Sequence, residues 1–265
     1  MAATGMTSRV YPTREPGAVA QAALPGGVNW FDTARGYGHG EPERALTASL
    51  RAVGVRLGEV LILTKWLPVG RRSAGIARTI GDRIGALQGY PVDLYQIHQP
   101  WGLSSVQCEM REMPQLLRAA KIWSIGVSDF SARQMSRAAA ARRVELAADQ
   151  GQINLLNRNV EGNGVLDTAR KLGITLMAYP PLQAGILTGG FRDDPVALRR
   201  APLLRGAMLG RSHDLDRSRP LVRELGRIAD AYGVSRAQVA RNCLINCYGA
   251  PVPRSRVPPQ RSRLR

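Results

Sequence analysis

Lysine is nearly absent. Lys65, Lys121 and Lys171 are the only three in 265 residues, so 34 of the 37 basic side chains are arginine. Acidic residues number 20, and the formal net charge is +17. Such a surface favours polyanions in general. The arginines are nevertheless spread singly along the chain. Only the pairs at 71–72, 142–143 and 199–200 and the C-terminal PRSRVPPQRSRLR form clusters. Aromatics make up 5% of the chain, too few for base-stacking platforms, and no helix-turn-helix or zinc-finger spacing occurs. Specific nucleic-acid recognition is not expected, and the charge reads as a solvated arginine surface.

Cysteine is equally scarce. Cys108, Cys243 and Cys247 form an odd set without framework spacing, as in a reducing compartment. Cys243 and Cys247 lie one helical turn apart, but no neighbouring His or Cys completes a metal site. The pair reads as helix packing, and no metal is expected. No apolar run approaches the roughly eighteen residues of a membrane span, and the N-terminus lacks a signal-peptide core. The expectation is a soluble, cytoplasmic protein that does not engage membranes.

What the chain does have is alternation. The segments 27–33, 60–65, 92–98, 122–128, 149–156 and 174–179 read as strands, and 16–25, 41–53, 74–88, 105–119, 131–142 and 162–172 as helices. The strands are near-continuous apolar runs such as VLILTK, the mark of a parallel sheet covered on both faces. Regular strand–helix alternation without a long linker points to one α/β domain over residues 1–265. Residues 180–216 hold several Gly and Pro and no clear strand, as in a lid or binding loop. Helices at 217–232 and 235–246 follow, the second capped by Ser235, and APVP at 250–253 suggests a last short strand.

The polar residues suited to chemistry fall at strand ends. Asp32 follows GVNWF, Lys65 ends VLILT, His98 ends VDLYQI and Ser128 ends IWSIGV. A (β/α)8 barrel presents these ends on one face, where its active sites lie, so Asp32, Tyr37, Lys65 and His98 gather at one mouth. A phenol with an ordinary pKa of about 10 is a poor acid near neutrality, and an adjacent ammonium lowers that value. Lys65 supplies the charge, Asp32 keeps it protonated and His98 can bond a substrate oxygen. Such a group protonates a carbonyl oxygen while a cofactor delivers hydride. His39 and His213 have no partner in the pattern. The glycines of GYGHG do not make a dinucleotide fingerprint, GVSDF is not a nucleophile elbow, and no P-loop occurs.

Over about residues 15–256 the sequence resembles the aldo-keto reductase superfamily. GVNWFDTARGYGHGEPE resembles the signature that carries the family's Asp and Tyr, ILTKW its lysine segment and VDLYQIHQP its histidine segment. The resemblance implies a (β/α)8 TIM-type barrel, NADP(H) as cofactor and a small-molecule carbonyl substrate, and it leaves the oligomeric state open. It assigns Asp32, Tyr37, Lys65 and His98 to catalysis. KIWSIGVSDF, QGQINLLNRNVE and GITLMAYPPLQAGILTGG resemble later segments, and imply cofactor contacts from Ser128, Asp129, Gln150, Tyr179, Leu182, Gly185 and Leu187. After the last strand the family holds the 2′-phosphate, which implies Ser255 and Arg256 here.

Departures accompany the likeness. The opening MAATGMTSRVYPT does not match the family's Gly-containing first strand, and residues 6–13 are the candidate substitute. Pro258 and Pro259 oppose the family's helix after strand eight, so the first strand and last helix are expected to be atypical or missing, with 257–265 a basic tail. Asp129 stands where the family has Asn; an ionised Asp only accepts hydrogen bonds, whereas Asn also donates. Gly151 weakens its strand. The alternative function is a catalytically impaired barrel that binds a nucleotide or a protein.

Overall fold

The computed structural model describes residues 18–37, 40–141, 145–190 and 215–248. Two compact units emerge. The first comprises residues 1–150 with 164–174, and the second residues 151–163 with 175–265.

In the first unit, β1 (Trp30–Asp32), β2 (Leu61–Trp66), β3 (Leu94–Ile97), β4 (Ile125–Ser128) and β5 (Leu146–Gln152, of which the last two residues belong to the second unit) pair in chain order, all parallel. β3 and β4 are buried at every residue, and β2 at all but its first. That is the burial which the uninterrupted apolar runs predict for strands covered on two faces. α1 (Ala18–Ala23) precedes β1; α2 (Glu41–Ala52), α3 (Ala74–Ala86), α4 (Val106–Arg118) and α5 (Ala132–Ala140) stand between successive strands, and α6 (Val165–Leu172) follows β5. Their starts are written locally. Ser105 caps α4 by accepting from the Cys108 N–H, and Ser131 with Gln134 forms a capping box on α5, each satisfying backbone donors that have no partner within the helix.

Gly126 is fixed by space. A Cβ there would stand 2.9 Å from Gln96 Cγ and 3.0 Å from the Ala148 carbonyl oxygen, distances a side chain cannot accept. β5 begins at Leu146, which pairs with Ile125, earlier than its apolar pattern suggests, and the β4–β5 register shifts between Ile125 and Gly126. The resulting register sets Ser128 opposite Gln150, which matters below.

The second unit contains β6 (Thr175–Tyr179), a 3-10 segment at Gln183–Thr188, α7 (Leu215–Tyr232) and α8 (Arg236–Cys247). Directly after β5, the Ile153 N–H donates to the Tyr179 carbonyl at the end of β6. Leu187, Leu225 and Ala240 form the unit's apolar centre, with Leu155, Leu156, Leu182, Leu221 and Val239 packed against them. The expected Ser235 cap is present, as a capping box with Gln238.

The alternation of parallel strand and helix is that of a partial (β/α)8 barrel. The candidate first strand at 6–13, the last strand at 250–253 and most of the 180–216 loop lie outside the described residues. No helix among the described residues is long and apolar enough to cross a membrane.

Candidate active site

Four parallel strand ends of the first unit build the site. Asp32 closes β1, Lys65 is the penultimate residue of β2, His98 follows β3 and Ser128 closes β4. Because the strands are parallel, these ends share one edge of the sheet.

Lys65 Nζ lies 2.5 Å from Asp32 Oδ1 and 3.2 Å from the Thr33 carbonyl oxygen. Both charged side chains are essentially without solvent contact, 0% and 1% exposed. Each buried ion costs several kcal/mol of desolvation, which mutual attraction seldom exceeds by much. Apolar residues of similar volume would serve folding as well, so the pair is better explained by chemistry. The second oxygen of Asp32 accepts from Gln150 Nε2 at 3.1 Å. The carboxylate is thus held at both oxygens.

His98 is half-buried, and its backbone N–H continues the β2–β3 ladder to the Trp66 carbonyl. Burial, reinforced by the neighbouring Lys65 ammonium, lowers its pKa to about 4, against the weaker opposing pull of Asp32. The imidazole is therefore neutral at physiological pH, able to donate through one nitrogen and accept through the other. Gly36 approaches this ring closely: a Cβ at Gly36 would stand 3.2 Å from His98 Cε1. Tyr37 ends the 3-10 turn Arg35–Tyr37 that follows β1, and its side chain lies outside the described residues.

Ser128 Oγ donates to the Gln150 carbonyl, and the Asp129 N–H donates to the same oxygen. Asp129 takes a left-handed backbone with φ +58°, a conformation that Asn and Asp tolerate better than most residues. Both Ser128 and Gln150 are buried. Gln150 spends one amide N–H on Asp32, and a primary amide carries a second N–H and a carbonyl oxygen.

The remaining sequence-derived candidates belong to the second unit. Tyr179, half-buried at the end of β6, accepts from Gln152 Nε2 at 3.5 Å. The N–H groups of Gly185 and Leu187 both donate to the Leu182 carbonyl. Leu187 gives its side chain to the unit's core, so it can offer a ligand only its backbone. Ser255 and Arg256 lie outside the described residues.

Two contacts escaped the pattern, as did a buried acid next to Gln150 in the chain. The Thr33 carbonyl is a backbone group, and residue type carries no trace of it. The Gln150–Asp32 bond joins residues 118 apart. Asp149, beside Gln150, is an almost wholly buried carboxyl whose pKa burial pushes up to about 8, with Asp129 adding to the rise and the Phe130 N–H opposing it. Among the described residues no cluster of His, Cys, Asp and Glu could hold a metal ion.

Comparison with known proteins now decides the family. The model of the Aldo/keto reductase family matches residues 2–260. The chain belongs to that family. Membership places it among oxidoreductases. This aldo/keto reductase is 28% identical over 239 residues to a probable voltage-gated potassium channel subunit beta of Oryza sativa subsp. japonica, covering 86% of this chain and 73% of that one. The structure of a glycerol dehydrogenase from Gluconobacter oxydans aligns with a TM-score of 0.71 at 27% identity, over 88% of this chain and 72% of that one. An aldo-keto reductase from Klebsiella pneumoniae, solved in complex with NADPH, shares the fold with a TM-score of 0.64 at 23% identity, over 85% and 68% of the two chains. Two further relatives are matched over 54% and 63% of their own lengths.

Proposed function

We propose that this aldo/keto reductase reduces an aldehyde or ketone to an alcohol with NADPH, with Tyr37 as the proton donor. The observation that carries this reading is the buried Asp32–Lys65 pair beside a neutral His98. Bound at this edge, the cofactor supplies the hydride. Lys65, paired with Asp32, is the cation that favours the phenolate and so assists proton donation. Neutral His98 donates to the carbonyl oxygen and orients it. Ser128 and Gln150, with Asp129, are the carboxamide-binding group; in the second unit, Tyr179, Leu182, Gly185 and Leu187 are the candidate cofactor contacts. Ser255 and Arg256 hold the 2′-phosphate. The K. pneumoniae relative's complex with NADPH supports the choice of cofactor.

The test combines NADPH fluorescence titration with steady-state turnover of an aromatic aldehyde. Tyr37→Phe is expected to abolish reduction while leaving NADPH affinity nearly unchanged. Equal turnover in the two proteins would remove Tyr37 from the mechanism.

A second reading, a nucleotide-binding barrel without turnover, draws on Asp129. Ionised, it cannot donate to a carboxamide oxygen as Asn does. NADPH binding without reduction across a panel of carbonyl compounds would favour that reading.

A further inference from the structure

The cysteine spacing suggests packing, and the structure corrects this. α8 buries Ala240 and Leu244, whereas Cys243 is only half-buried and Cys247 is exposed. The two thiols are turned toward each other, with Sγ···Sγ at 3.4 Å. Residues four apart on a helix keep their Cβ atoms about 5–6 Å apart, while a disulfide needs about 3.5–4.5 Å. Direct oxidation would therefore require the last turns of α8 to unwind.

The same spacing suits an atom that bridges the sulfurs. Bonds of about 2.3 Å, the length thiolates make to zinc, drawn from two sulfurs 3.4 Å apart meet at an angle of about 95°. That is near the right angle of a pyramidal trivalent p-block centre and tighter than a tetrahedral metal prefers. A structural zinc site also needs four donors, and no group of three candidate ligands exists among the described residues.

We propose that Cys243 and Cys247 form a dithiol site for one soft, thiophilic centre, a trivalent arsenical being the class that fits. The chemistry is a condensation, 2 RSH + As(OH)3 → (RS)2AsOH + 2 H2O. Two As–O bonds break and two As–S bonds form, and each thiol proton leaves with a hydroxide as water. No electron is transferred, so no oxidant is required. Burial and the neighbouring Cys247 raise the Cys243 pKa, against the pull of the Arg158 guanidinium. Cys243 is thus held as a thiol, the form this condensation consumes. The site is independent of the reductase reading.

Phenylarsine oxide on the reduced full chain tests the proposal, read by intact mass and by counting the three free thiols. One adduct is expected, with two thiols lost. It should resist excess 2-mercaptoethanol and be removed by dithiothreitol. Cys243→Ser and Cys247→Ser should each lose the resistant adduct, and Cys108→Ser should keep it, with circular dichroism confirming that all three variants are folded. Three reactive thiols remaining in wild type, an adduct stripped by the monothiol, or a resistant adduct in either single variant would overturn it.

Discussion

The side-chain amide of Gln150 donates to Asp32 Oδ2 at 3.1 Å, while the other oxygen of the same carboxylate holds Lys65. Gln150, proposed as a cofactor contact, thus shares the Asp32 carboxylate with Lys65. Removing the ammonium would leave Asp32 buried with a single neutral donor. Lys65→Met should therefore destabilise the protein by about 3–5 kcal/mol, the cost of an uncompensated buried charge. Asp32→Asn in that background should recover part of the loss. Urea unfolding measures both, and an unchanged midpoint for Lys65→Met would mean that Asp32 is solvated in solution.

Gly36 gives a steric handle on His98. An added Cβ would meet Cε1 at 3.2 Å and Nδ1 at 3.3 Å, so the ring must yield by a few tenths of an ångström. Reaction geometry is sensitive to shifts of that size. Gly36→Ala should lower kcat/KM about tenfold, or about 1.4 kcal/mol of transition-state stabilisation, with the unfolding midpoint little changed. Steady-state kinetics beside thermal melting separates the two effects. Wild-type kinetics in this variant would remove His98 orientation from the argument.

Asp149 yields a pH prediction. Its folded pKa is raised to about 8, whereas an unfolded Asp titrates near 3.9. Between these values the folded state binds more protons than the unfolded one, so its contribution to stability is present at low pH and is lost as pH rises. Glu109, raised to about 7 by burial, acts with the same sign. His98, lowered to about 4, acts oppositely below its ordinary value of 6.5. Comparing wild type with Asp149→Asn isolates the first contribution. The margin by which the variant outmelts wild type should grow by a few degrees from pH 5 to pH 8. Parallel melting curves at the two pH values would show that Asp149 ionises freely.

The proposed 2′-phosphate contact rests on Arg256 and can be tested there directly. Arg256 offers a planar fork of donors matched to phosphate. Arg256→Ala should weaken NADPH by about 1–3 kcal/mol, the range of a charge-assisted hydrogen bond, and leave NADH affinity nearly unaltered. Fluorescence titration with both nucleotides reads the ratio, and an unaltered ratio would assign the phosphate to other residues.

The sequence by itself determined the element order and the sheet edge that carries the candidate residues. Apolar runs such as LILTKW, capping residues such as Ser131 and Ser235, and the placement of Asp32, Lys65, His98 and Ser128 at strand ends are local signals. Each acts through its own backbone neighbourhood. The β5 start at Leu146 was not legible, because its pairing with Ile125 is decided by the neighbouring strand. Only the tertiary structure joined Gln150 to Asp32, set His98 against Gly36 and raised Asp149. It likewise turned the Cys243–Cys247 pair outward from the core. Hydrogen bonding between distant residues, close contact and desolvation arise only when separate segments are brought together and water is removed, and no residue carries them alone.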